Sequence, residues 1–244
     1  MITVSNLWRY PVKGVGTEPL GSVVLREGQC LPGDRAFAIA QDGATTNGEW
    51  APCMNFVRGA KAGTLMAIEA QSAGESLTFT HPDRPALTVQ LPADGQALID
   101  WIAPLYPENR PAPVRVVTAT EQGMTDAPFP SISILSNTSR TILSQRAGRP
   151  LDQRRFRGNI WLDGMDPWQE WEWIGKNLRI GGAVLEVRER NTRCRATHAD
   201  PMTGKDDVNV LSVLEQGWDH RDFGVYAVCV QGGEIAVGDV VTVL

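Results

Sequence analysis

Asn177-Leu-Arg-Ile-Gly-Gly-Ala-Val-Leu-Glu-Val-Arg-Glu189 is the stretch that decides what kind of chain this is. Leu178 and Ile180 alternate with polar neighbours, a glycine pair follows, and then Ala183, Leu185 and Val187 set up the same alternation on the far side. A period of two on both flanks of Gly181-Gly182 predicts a pair of antiparallel strands joined by a two-residue turn that requires positive φ.

The same rhythm runs outward in both directions. Stretches 2–10, 22–26, 36–40, 64–70, 77–80 and 87–91 read as strands bounded by Gly, Pro or Asp, and 159–163, 223–231 and 234–244 continue the pattern. Gly232-Gly233 reads as a second two-residue hairpin turn. Helical spacing is confined to 95–105, to 137–147 closed by Gly148, and to 208–216 closed by Gly217. The fold class is therefore mainly β with a few short helices (α+β), and a closed or nearly closed barrel would protect the strand edges. Pro107, Pro111, Pro113, Pro128 and Pro130 mark the boundary between two β-rich halves, 1–110 and 111–244. Within that boundary 114–118 still reads as a strand, so the halves are expected to share an interface.

Composition narrows the partners. The chain has 244 residues, 42% of them hydrophobic, and a net charge of -5, which does not suit a binder of nucleic-acid polymers. No apolar run approaches the roughly 18 residues needed to span a bilayer, and the N-terminus lacks a secretion-signal layout; a cytoplasmic protein is expected. Cys30, Cys53, Cys194 and Cys229 lie far apart with no C-x-x-C pair, so free thiols are expected in a reducing compartment.

Chemistry is concentrated in four segments. Asn191-Thr-Arg-Cys-Arg-Ala-Thr-His-Ala-Asp-Pro-Met-Thr-Gly204 presents Cys194 ahead of a sharp Asp200-Pro201 turn, where a thiolate can ligate a metal or simply fill space. Arg9-Tyr-Pro-Val-Lys-Gly14 ends a strand on Lys13, Leu31-Pro-Gly-Asp-Arg-Ala-Phe37 carries Arg35 past a tight turn, and Arg154-Arg-Phe-Arg-Gly-Asn159 packs three arginines before an apolar strand. Singly, such basic residues are solvated strand ends; together they suggest a basic, phosphate-compatible pocket. If 192–198 is extended, Cys194 shares a face with Thr192, Ala196 and His198 while Arg193 and Arg195 point away. Trp168, Trp171 and Trp173 fit either aromatic packing beneath the barrel or a substrate-facing wall.

Taken in order, Tyr10-Pro-Val-Lys13, Gly33-Asp-Arg35, Arg155-Phe-Arg-Gly-Asn-Ile160, Arg193-Cys194, Asp200-Pro-Met-Thr-Gly204, Phe223-Gly-Val-Tyr226 and Val237-Gly-Asp239 resemble the MOSC-domain proteins with their N-terminal β-barrel half, most closely the amidoxime-reducing-component type. The resemblance implies a MOSC β-barrel packed against a β-rich N-terminal subdomain. It also implies a molybdenum cofactor, the metal being carried on a pterin that bears a phosphate. By that resemblance Cys194 ligates the metal, Lys13, Arg35, Arg157 and Asn159 hold the pterin and its phosphate, and Ser131 adds a polar contact. His198 and Asp200 stand as candidate proton donors, against a structural histidine and plain turn chemistry. Two departures stand out: Gly14 replaces the family's usual serine, and Trp50-Ala-Pro-Cys53 lacks the expected Arg-x-x-Pro.

The chain carries no ferredoxin-type C-x4-C-x2-C run, so electrons are expected from an external flavin, iron-sulfur or haem protein. The leading expectation is reduction of N-hydroxylated or other N- or S-oxygenated small molecules. A sulfur carrier acting through a Cys194 persulfide and a non-catalytic cofactor carrier are the alternatives.

Overall fold

The computed structural model describes residues 1–46, 48–120 and 122–244. Up to the proline-rich boundary lie β1 (Thr3–Arg9), β2 (Glu18–Leu20), β3 (Ser22–Leu25), β4 (Phe37–Gln41), β5 (Glu69–Ala73), β6 (Ser76–His81), β7 (Arg84–Gln90) and α1 (Gly95–Ile102), and within that boundary lies β8 (Pro113–Thr118). In its C-terminal half lie β9 (Ile132–Ser136), α2 (Asn137–Ala147), β10 (Ile160–Asp163), β11 (Asn177–Ile180), β12 (Ala183–Thr192), α3 (Val210–Trp218), β13 (Asp222–Gln231), β14 (Gly233–Ala236) and β15 (Val241–Val243).

The opening hairpin forms in the expected register, with Ile180 paired to Ala183 and Leu178 to Leu185 across a turn in which Gly181 takes φ 53°. It sits in an eight-stranded sheet of order β15-β11-β12-β13-β9-β10-β1-β2. That sheet curls until β1 meets the run ahead of β15. Backbone bonds from Val4 N to Asp239 O (2.9 Å), Gly238 N to Val4 O (2.8 Å) and Val241 N to Ile2 O (2.9 Å) stitch the seam. The near-closed barrel encloses Leu7, Ile134, Leu162, Leu178, Leu185 and Val225. A second core, built on Ile39, Phe79, Leu98 and Ile102, lies under the three-stranded sheet β5-β6-β7 and α1. The strand expected inside the proline-rich stretch forms as β8 and pairs with β4, so 113–118 completes a sheet begun in the N-terminal half.

Several elements differ from the sequence reading. Gly232-Gly233 is not a hairpin turn: neither glycine has positive φ, and β14 leaves β13 to pair with β3. The pair is small because backbones cross there; a Cβ on Gly233 would lie 2.2 Å from the carbonyl carbon of Gly182. The stretch 64–70 splits into a 3-10 turn, Gly63–Ala67, followed by β5. The last helix ends at Asp219, which takes φ 59°, and Gly217 lies inside it because a Cβ there would stand 2.7 Å from Nε of Arg146 on α2. The strand β9 was not expected from the sequence although Ser131-Ile-Ser-Ile134 alternates polar and apolar residues; all five of its residues are buried, Ile132 and Ile134 in the barrel and Leu135 in the layer outside it.

That outer layer contains the tryptophans. Trp168 stacks on Trp171 at 5.1 Å and meets Phe223 edge-on at 5.6 Å, while Trp173 is buried in the barrel core; none of the three lines the cavity described below. Packing beneath the sheet is their role. Between them sits Glu170, fully buried, with neither carboxylate oxygen hydrogen-bonded; burial pushes its pKa up to about 7. A raised folded-state pKa means the native protein binds the proton more tightly than the unfolded chain, so stability falls as pH climbs from about 4.5 to about 7. Glu170→Gln should flatten that slope and raise stability above neutrality by on the order of 3 kcal/mol, measured by urea unfolding across the pH range.

Candidate functional site

Both halves contribute to one cavity of about 460 Å³. Lys13, Arg35, Ser131, Arg157, Asn159 and Cys194, brought from positions up to 181 residues apart, all line it. So do Arg58, Lys61, Arg155, Arg193 and Arg195, making eight basic side chains against one carboxylate, Asp126. In an acidic chain that imbalance marks the cavity as a site for an anionic ligand.

The deep cations are placed by an unusual backbone. Arg35 and Arg157 are both left-handed, at φ 49° and 46°, and their guanidinium carbons lie 4.8 and 4.3 Å from the ring centre of the buried Tyr10. Arg35 bridges to Asp34 and donates to Arg157 O at 2.9 Å, while Arg157 donates weakly to Gly16 O (3.3 Å) and Val12 O (3.4 Å). Burial, reinforced by the charge of Arg35, lowers the Arg157 pKa to about 10, so at neutral pH the two cations are held side by side, ready for an anion. Lys13 Nζ spends its three protons on Met124 O (2.7 Å), Thr125 O (3.2 Å) and Asp126 Oδ1 (2.6 Å), fixing the 124–126 loop against the cavity. Burial works to raise the Asp126 pKa, but the Lys13 ammonium outweighs it and holds the carboxyl at about 2. With its folded-state pKa depressed, this pair contributes stability above the carboxyl's ordinary range and loses it only as pH falls toward about 2.

Asn159 clamps strands together: its Oδ1 accepts from Ser133 N (3.1 Å) and Ser133 Oγ (3.0 Å), and its Nδ2 donates to Trp8 O (3.2 Å). Ser131 differs, for its buried Oγ has no protein partner and lies on the cavity wall. An orphaned buried hydroxyl there fits a ligand that supplies the missing bond.

Cys194 follows β12 in extended conformation and opens a 3-10 turn, Arg195–His198. The extended run across 192–198 therefore does not exist, and His198 does not share a face with the thiol. Cys194 is exposed to the cavity. Desolvation by the surrounding wall raises its pKa, opposed by the Ala196 amide aimed at the sulfur and by the Arg193 charge. Arg193 itself donates to Phe156 O (2.8 Å) and to Phe223 O (2.7 Å from Nε), tying the end of β12 to its neighbours. Arg155 reaches round behind, bidentate to Asp207 at 2.7 Å on each arm and within 3.4 Å of Thr197 O and 3.2 Å of His198 O.

His198 and Asp200 do not line the cavity. The ring of His198 has a buried Nε2 without a partner, and desolvation lowers its pKa. The Asp200 carboxylate accepts from Met202 N (3.0 Å), and its carbonyl accepts from Thr203 and Gly204 (3.2 and 2.7 Å), which is the turn chemistry its sequence offered. This turn presses on the N-terminal half: a Cβ on Gly204 would stand 2.5 Å from Thr64 Cα.

The two departures find their reasons here. Gly14 has φ 77°, and a Cβ would come within 2.8 Å of both Arg58 Cα and Val57 O, so no serine fits without displacing that backbone. Gly14→Ser should cost about 1–3 kcal/mol of stability, read from the shift in the denaturation midpoint. The basic edge that Trp50–Cys53 did not supply comes from Arg58 and Lys61, a few residues further on. Tyr226 also lines the cavity, its phenol pushed up to about 12 by burial. Neither was read as a site residue; the cavity location that marks them is not a local sequence property.

Residues 1–104 match the MOSC N-terminal beta barrel domain and residues 124–242 the MOSC domain, which together cover the chain. It belongs to the MOSC-domain proteins. This MOSC-domain protein is 25% identical over 248 residues to the molybdenum cofactor sulfurase of Caenorhabditis elegans and 24% identical over 253 residues to that of Caenorhabditis briggsae. Each match covers 92% of the MOSC-domain protein but 33% of the relative, so the chain spans about a third of the length of these relatives. Among solved structures it is similar to the YUAD protein of Bacillus subtilis, with a TM-score of 0.49, 14% identity, and coverage of 100% of this chain and 96% of that one. No helix among the described residues is long and apolar enough to cross a membrane.

Proposed function

We propose that the cavity holds a molybdenum-bearing pterin and that the protein is a cytoplasmic reductase of N-hydroxylated, or other N- or S-oxygenated, small molecules. The observation that carries this reading is the convergence of Cys194, the Arg35 and Arg157 pair, and the unpartnered Ser131 hydroxyl on one cavity. Cys194 would be the protein's ligand to the metal, a soft donor suited to such a centre. No cluster of three His, Cys, Asp or Glu side chains converges among the described residues, so the remaining donors would have to come from the cofactor. When bound, the cofactor supplies two-electron exchange at the metal. Arg35 and Arg157 receive the phosphate, Ser131 donates or accepts one further bond, and Lys13 and Asn159 keep the wall in place. Tyr226, its phenol pushed up to about 12 by burial, lines the same cavity and would present a neutral hydroxyl to hydrogen-bond the substrate oxygen. Electrons arrive from an external flavin, iron-sulfur or haem protein.

A second reading draws on the relatives, both named molybdenum cofactor sulfurase. In it Cys194 carries a persulfide, or the domain only holds the cofactor. Metal analysis and pterin fluorescence on the purified protein separate the readings: a persulfide carrier retains neither, and a passive holder retains both yet fails to reduce an amidoxime with an artificial reductant. Molybdenum together with turnover supports the reductase.

A further inference from the structure

Two of the four thiols face the same cavity, and the second has no part in the function proposed above. Cys53 opens the 3-10 turn Cys53–Asn55 in the N-terminal half and is exposed; Cys194 comes from the C-terminal half and is exposed as well. Cys30 and Cys229 are buried, which leaves them as internal controls. Arg58 Nη1 stands 2.7 Å from Cys53 Sγ, which places a cation beside that sulfur.

A bridge between them needs Cα atoms about 4.4–6.8 Å apart, a range that a segment free to shift can reach. The turn that carries Cys53 meets that need. It buries none of its own residues, and Met54 within it is 66% exposed; the fully buried Phe56 is what anchors the segment. Movement confined to 53–55, between the buried Ala51 and Phe56, uncovers no core.

We propose that Cys53 and Cys194 close to a disulfide across the cavity by exchange with an external disulfide. The Cys53 thiolate attacks the external disulfide, forming a mixed disulfide and expelling one thiolate. Cys194, having given its proton to that thiolate, attacks the Cys53 sulfur; the Cys53–Cys194 bond forms and the second external thiolate leaves. The pair loses two electrons and the external disulfide gains them. Cys194 is then unavailable to a metal, and the bridge ties the two halves together over the site. An external dithiol reverses both steps. The exchange requires a Cys194 that no metal holds, so under the function proposed above it belongs to the cofactor-free protein.

The test uses the purified full chain with glutathione disulfide as the probe, alkylation after unfolding, and non-reducing peptide mass spectrometry. The expected result is a cross-linked peptide pair containing Cys53 and Cys194, loss of two of the four alkylatable thiols, and recovery of both with dithiothreitol. In Cys53→Ser the cross-link disappears and Cys194 keeps a glutathione adduct. Separate adducts on Cys53 and Cys194 without a cross-link, bridges to Cys30 or Cys229, or bridges only between chains would each overturn the proposal. The wild-type cross-link is read without any variant, so a misfolded substitution does not decide the result.

Discussion

Cys194→Ser should leave a folded protein that retains no molybdenum and reduces an N-hydroxylated substrate no faster than the no-enzyme control. The side chain is exposed to the cavity and makes no core contact, so exchanging sulfur for oxygen there should change stability by no more than about 0.5 kcal/mol. Its chemistry changes far more. A serine hydroxyl is harder than a thiolate and stays protonated near neutrality, so it is a poor ligand for a metal that prefers sulfur. Metal analysis beside circular dichroism checks both halves of the expectation. Unchanged metal content and activity would remove Cys194 from the mechanism and with it the reductase reading.

Arg155→Met should be the most destabilising of the single changes considered, at about 3–5 kcal/mol in denaturant unfolding. The Arg155 side chain is 2% exposed and makes two 2.7 Å bonds to the Asp207 carboxylate, itself 15% exposed. Removing the cation leaves that carboxylate with only the more exposed Arg149, at 3.1 Å. Burial acts to raise the Asp207 pKa, and the bonds from Arg155 more than offset it, leaving the carboxyl below its ordinary value. Because the folded-state pKa is depressed, the contribution is present above the ordinary carboxylate range and lost as pH falls through the folded value. The stability difference between wild type and Arg155→Met should therefore shrink in acid. A functional effect should accompany it, since Arg155 also reaches the carbonyls of Thr197 and His198 and so fixes the turn behind Cys194. Equal loss at neutral and acid pH would show that packing, not the ion pair, is what the arginine contributes.

The members of the candidate cavity were in part legible in the sequence. Lys13, Arg35, Arg157, Asn159 and Cys194 lie in the motifs that carry the family resemblance, Ser131 was expected from that resemblance alone, and all six line one cavity. What local pattern could not show was how each is employed. Asn159 looks like a ligand-binding amide, yet most of its capacity goes to Ser133 and Trp8. Asp200 and His198 sit close to Cys194 in sequence, but the 3-10 turn at Arg195–His198 turns the chain away and leaves them off the cavity.

Alternation along 177–189 is enough to specify an antiparallel hairpin, because burial of one face dictates which residue types recur at every second position. Alternation likewise marks most of the strands, and helical spacing marks all three helices. The alternation is present but short in β9, directly after the prolines that mark the boundary between the halves, and turn chemistry misleads where a glycine pair serves a backbone crossing, as at Gly232-Gly233. Closure of the barrel through Val4, Gly238 and Val241, and the meeting of Arg58, Tyr226 and Cys53 with Cys194 in one cavity, depend on contacts between residues far apart in the chain. Such contacts are selected by the packing of whole layers, so they become definite only when the chain is folded.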